Sequence, residues 1–284
     1  MLAEKKQALL ALHGAVLLFA LSGLFGKWLD LPATYIVFGR AFFSAIALFI
    51  FVQIYQGKSL KVTNKTLVAL AVTGAILAFH WVSFFHAIQL STVAIGLITF
   101  ASFPVFVSFL EPIFFKEKFV FRALLQALLT LAGIYLILPQ GAFEQNVLQG
   151  VIWGVLSALS FALLTLMNRK FVINISAKNV AFYQNGFAAI CLIPLLMMNP
   201  VEVIEQQWLI LILLGVVFTA FAHSLFNFSL KTISAQVASL AVSLEPIYAI
   251  VAAYLLLDES LSLIMLCGGA IVLITNIWAS KNQS

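Results

Sequence analysis

The fold class this sequence predicts is an all-α integral membrane protein, with ten transmembrane helices arranged as two inverted five-helix repeats. Three features predict it. First, the 284 residues are 63% hydrophobic and only 9% charged, against roughly 25% charged in a soluble domain. A soluble fold of this size has no way to bury that much apolar surface, whereas lipid solvates it. Second, apolar runs of about twenty residues, the length of a bilayer-crossing helix, follow one another along the whole chain. Third, the stretch Ser234 to Leu257 has a weaker counterpart 142 residues earlier, Thr92 to Phe115, in which Pro104 stands where Pro246 stands.

In chain order the runs lie near 8–27, 34–56, 66–87, 92–115, 120–138, 147–169, 178–198, 206–228, 234–257 and 260–280. The first follows Glu4-Lys5-Lys6 in the manner of a signal peptide, but no convincing cleavage site follows, so it is read as a retained helix. The longest connections, 57–65 and 139–146, read as loops, and no segment is left over for a soluble domain. Two halves result, 1–140 and 141–284.

Charge sets the expected orientation. With the N-terminus inside, the inner segments carry thirteen Lys and Arg and the outer ones only Lys27. The outer side collects Asp30, Glu144, Glu202, Glu205, Asp258 and Glu259. Both termini are therefore expected in the cytoplasm. Five spans is an odd number, so the second half must sit upside down relative to the first. Equivalent loops carry opposite bias accordingly: Lys116-Glu117-Lys118 falls inside and Asp258-Glu259-Ser260 outside. Residue identity between the halves is low, so the repeat rests on pattern.

The net charge of +5 and the pI of 9.3 do not indicate nucleic acid, because the basic residues lie in short loops between spans rather than in one patch. Cys191 and Cys267 fall in apolar runs and read as small buried hydrophobes rather than a disulfide or metal site. A phosphate-binding glycine loop is missing from the chain, which argues against an ATP-driven pump, and so is a clustered nucleophile or paired-carboxylate motif.

The segments V-F-G-R-A-F-F-S-A around Arg40, S-F-P-V-F-V-S-F-L-E-P-I-F-F-K-E-K-F in the first half and V-S-L-E-P-I-Y-A-I-V-A-A-Y-L-L-L-D-E-S-L in the second resemble EamA-type members of the drug/metabolite transporter superfamily. The likeness covers nearly the whole chain. Each motif alone is loose, while their order and spacing are specific. The resemblance implies carriers of small metabolites, often exporters of amino acids, with a cavity between the halves. One departure matters: Phe103 precedes Pro104 where Glu245 precedes Pro246, so any ion coupling rests on the second half.

Candidate substrate-pathway residues follow. Glu245 sits near the middle of its span, where a charge is costly and a functional role is the default reading. The alternative is a structural carboxyl paired with a neighbouring helix. Pro104 and Pro246 are candidate helix breaks, each removing a backbone donor. Arg40, six residues into its span, is either an anchor for a substrate carboxylate, a partner of Glu245, or a side chain snorkelling to the headgroups. Trp81 and His223 stand 142 residues apart, hence at equivalent positions, and with His80 either line the pathway or supply helix–helix hydrogen bonds. Tyr183, Gln184, Asn185 and Gly186 form an unusually polar run within an apolar span. Asn168 and Asn227, near span ends, read as solvated, and Glu111 as an inner-gate or structural group. Phe79, Phe84 and Phe100 are candidates for an apolar cavity wall, and Gly150-x-x-x-Gly154 for close helix packing.

The expected function is secondary transport of small metabolites such as amino acids across the bacterial inner membrane. Alternating access, export by family likeness, and proton coupling through Glu245 complete that expectation. The rival is an intramembrane enzyme or a lipid-handling protein. No catalytic residue, cofactor, metal or nucleic acid is expected. The expected partners are the bilayer, a small-molecule substrate and protons, and a homodimer is left open.

Overall fold

A computed structural model of the chain describes residues 2–57, 60–91, 93–116, 118–137, 147–248 and 263–281. Among these residues the regular structure is helical throughout. In order the elements are α1 (Leu2–Trp28), α2 (Ala33–Phe49) continuing into the π-helical π1 (Ile50–Tyr55), α3 (Asn64–Leu90), α4 (Val93–Phe100), α5 (Phe103–Phe115), α6 (Phe121–Ile137), α7 (Val147–Phe171), α8 (Ala177–Met198), α9 (Glu205–Gly215) continuing through π2 (Val216–Phe221) into α10 (Ala222–Ser229), α11 (Ala235–Val242) and α12 (Leu263–Lys281). Six stretches are long and apolar enough to cross a bilayer: Ala3–Gly23, Ala33–Tyr55, Asn64–Leu90, Leu148–Phe171, Ala177–Met198 and Glu205–Ser229.

Local chemistry explains the helix ends. The Ser176 hydroxyl accepts from the Asn179 amide (3.2 Å) at the start of α8. Ser234 does the same for Val237 (3.4 Å) at the start of α11. Lys116 closes α5 in the left-handed conformation (φ 55°), with its amide bonded to the Pro112 carbonyl.

The expected span at 92–115 is broken. A turn at Ala101–Ser102 separates α4 from α5, and a matching turn at Ser243–Leu244 ends α11 before helical residues resume at Glu245. The two turns lie 142 residues apart and share their backbone bonds. The Ala101 amide bonds to the Leu97 carbonyl and that of Ser102 to Thr99, just as Ser243 bonds to Ser239 and Leu244 to Ala241. The breaks therefore precede Pro104 and Pro246 rather than falling on them. Each proline occupies the second position of the helix that follows, where its missing N–H leaves no intrahelical bond unmade.

The chain forms two compact units, residues 1–82 with 167–232 and residues 83–166 with 233–284. Their boundaries fall inside α3 and α7, so neither unit is a sequence half. In the first unit α2 packs on α8 and α9, and α1 on α10. In the second α6 packs on α12, and α5 on α11 and α6. Gly150 and Gly154 belong to the second unit, where a Cβ on either would run into the hydroxyl of Ser91 or Thr99 respectively. Large apolar side chains such as Ile113 and Met197 are exposed, as suits helices solvated by lipid. Cys191 and Cys267 are free but exposed rather than buried. In lipid an outward face is as apolar as the core, so hydrophobicity alone does not send a small side chain inward.

Candidate functional site

The interior of the first unit is polar along connected stripes. On α3 they begin at Thr73 and end at His80 and Trp81. On π2 and α10 they comprise Thr219, His223 and Asn227, spaced four apart. All six side chains are buried. Arg40 enters from α2 and is 2% exposed, which rules out snorkelling to a headgroup. Its Nε donates to Thr219 Oγ1 (3.1 Å), and its guanidinium lies 4.0 Å from the Trp81 ring centroid, within cation–π range. Thr219 in turn donates to the Leu214 carbonyl five residues back (2.8 Å), the spacing of the π turn. Trp81 also meets His223, their ring centroids 5.0 Å apart. The pair that the repeat offset places at equivalent positions is thus in contact.

A second set of bonds runs through the same interior. Gln184 Nε2 donates to Thr73 Oγ1 (2.9 Å) and to Asn168 Oδ1 (2.6 Å). Asn168 Nδ2 donates to Asn227 Oδ1 (2.9 Å). Asn168 and Asn227 are 2% and 1% exposed, so they are buried and not solvated as their positions near span ends suggested. The polar run on α8 does not interrupt the helix, because Asn185 Nδ2 turns back to the Ala181 carbonyl (2.8 Å). The Tyr183 hydroxyl donates to the Leu60 carbonyl (2.6 Å), tying α8 to the segment before α3. Four buried atoms here find no hydrogen-bond partner among the described residues: Gln184 Oε1, Asn185 Oδ1, Asn227 Nδ2 and His223 Nδ1.

The remaining candidates, Phe79 apart, belong to the second unit. Glu245 is buried and, with Pro246, Val242, Phe100 and Phe103, borders a cavity of about 10 Å³, room for roughly one water. Both backbone breaks therefore flank one small space. Phe84 packs edge-on against Phe100 (5.4 Å), and Phe79, in the first unit, is 45% exposed. Glu111 was missed as a helix cap. Its carboxylate accepts from the amides of Ala235 (2.8 Å) and Gln236 (2.9 Å) at the start of α11. Those partners lie more than 120 residues away, and no local pattern announces them.

Bilayer-length apolar helices, polar groups sequestered in the interior and broken helices beside a buried carboxyl define a multi-pass membrane protein. The chain belongs to the EamA-like transporter family, which it matches twice, over residues 6–138 and 148–280. It is a membrane transporter and not an enzyme. A Bacillus subtilis protein named only as an uncharacterized transporter is 28% identical, over 87% of this chain and 81% of its own. An uncharacterized transporter of Archaeoglobus fulgidus is 31% identical, over 84% and 83%. The S-adenosylmethionine uptake transporter of Rickettsia conorii is 29% identical, over 86% and 81%. A crystal structure shares the fold with a TM-score of 0.78 at 17% identity, covering 98% of this chain and 99% of that one.

Proposed function

We propose that the protein is a secondary carrier of an amino acid or closely related metabolite in the bacterial cytoplasmic membrane. It works by alternating access on ten spans in two inverted halves, with both termini in the cytoplasm. The observation that carries this reading is the set of unpartnered buried groups on Gln184, Asn185, Asn227 and His223. Each such atom costs about 1–3 kcal/mol in a protein interior, and in a transporter the cost is offset when a polar solute visits. Arg40, stacked on Trp81 in the same interior, is the group suited to a carboxylate. Glu245 is the proton carrier of the cycle.

Export is the direction first proposed. Uptake is the second reading, favoured by the Rickettsia relative named for S-adenosylmethionine, itself an amino acid derivative. Counterflow in proteoliposomes with labelled amino acids and S-adenosylmethionine tests the substrate class, and inside-out against right-side-out vesicles test direction. Exchange above empty liposomes that is lost in Arg40→Ala supports the proposal. No exchange of any of these solutes, or equilibration of labelled lipid between leaflets instead, refutes it.

A further inference from the structure

A cavity of about 740 Å³ in the first unit is lined by residues other than those of the polar interior just discussed. Its walls are π1 with the end of α2, the start of α8, and π2 with α10. Both π-helical segments found among the described residues border it. A π turn widens a helix locally and is frequent at functional sites. Two of them facing one space is a second observation beyond the cavity itself.

The lining is graded. Ala47, Leu48, Val52, Val216, Ala220 and Phe221 make an apolar wall, while Gln56, Ser176, Lys178, Asn179 and Lys231 bring polar groups. Apart from Ser224, whose hydroxyl donates back to the Ala220 carbonyl within α10, the polar groups sit at helix ends: Gln56 just past π1, Ser176 to Asn179 opening α8, Lys231 just past α10. The two charged residues are both cationic, and no acidic residue joins the described lining. The Lys178 ammonium is held 4.4 Å from the Phe51 ring centroid, at the mouth of the apolar part. Along the helix axis, Ala47 to Gln56 spans about 14 Å, the reach of much of one acyl chain. The walls are formed by stretches long and apolar enough to cross a bilayer, and lipid is the solvent of such stretches.

We propose that this cavity is a resident site for an anionic phospholipid, with one acyl chain against the α2–α10 wall and the phosphate between Lys178 and Lys231. Charge complementarity selects the headgroup and the graded lining selects an amphipath. The site is independent of the carrier's cargo.

The test is native mass spectrometry of the full-length protein titrated with phosphatidylglycerol or with phosphatidylcholine of the same chains. Wild type is expected to retain phosphatidylglycerol at least tenfold better than phosphatidylcholine. Lys231→Gln and Lys178→Gln are each expected to weaken that retention about fivefold, following the attraction of one basic residue for an anionic lipid surface. Ala220→Leu, which fills the cavity without touching charge, is expected to weaken both lipids alike. Lys231 is exposed, so its variant is not expected to disturb folding, and unchanged thermal melting checks this. Equal retention of the two lipids, or retention indifferent to all three variants, overturns the proposal. So does a result in which the variants abolish solute counterflow and leave lipid retention as it was, because the cavity would then serve the cargo.

Discussion

Replacing Glu111 tests the way the second unit places α11, and through it Glu245. The carboxylate accepts two amides, from Ala235 and Gln236, and Ser234 takes the third, from Val237. Three of the four orphan donors at this helix start are therefore answered, two of them by a single side chain from α5. Glu111 is 4% exposed, so water does not replace it. Glu111→Ala leaves two N–H groups unmet, that of Ala235 buried and that of Gln236 part-buried, for a loss of about 2–4 kcal/mol. Glu111→Gln keeps an acceptor oxygen but gives up the charge and one bond, for about 2 kcal/mol. Reversible unfolding in mixed micelles measures both losses, and counterflow measures the consequence at the Glu245 end of the same segment. If the alanine variant unfolds within about 1 kcal/mol of wild type, the carboxylate does not hold α11 and the reasoning fails.

Other outcomes follow from the same geometry. Arg40→Lys removes the planar guanidinium from Trp81 and is expected to raise the KM for a carboxylate-bearing substrate by about tenfold, since an ammonium cannot reproduce the stacked, directional contact; an unchanged KM in counterflow counts against a substrate role. Glu245→Gln is expected to flatten the pH dependence of transport, measured with and without an imposed proton gradient; a variant that transports normally at every pH shows that coupling does not pass through it. Gln184→Leu cuts the bonds to Thr73 and Asn168 and is expected to cost about 1–3 kcal/mol, with Asn168→Leu adding little on top, a non-additivity that a double-mutant cycle reads directly. Gly154→Ala drives a methyl into Thr99 and is expected to cost about 1–3 kcal/mol in the same unfolding assay.

The helical membrane class was legible because it depends on composition and run length, which tertiary detail does not override. The contact of Trp81 with His223 was legible because a duplication fixes a numerical offset. Close packing at Gly150 and Gly154 was legible for the plain reason that a missing side chain invites a neighbour. Prolines 104 and 246 marked the helix breaks to within two residues, but a proline is comfortable in a first turn, so the chain yields just before it. Asn168 and Asn227 were misjudged because nearness to a span end says nothing of which way a side chain faces, and their partner Gln184 comes from another helix. The Glu111 cap and the two π turns had no sequence signal at all, since one is a long-range meeting and the other a matter of a single residue too many.

That surplus residue has a practical corollary. A π turn is an α-helix into which one extra position has been slipped. Between Val216 and Phe221, therefore, the polypeptide can be shortened by one amino acid and heal into ordinary helix, leaving the His223 imidazole aimed at Trp81. Anywhere along α9 the same deletion would swing everything downstream through about 100° and dismantle the contact.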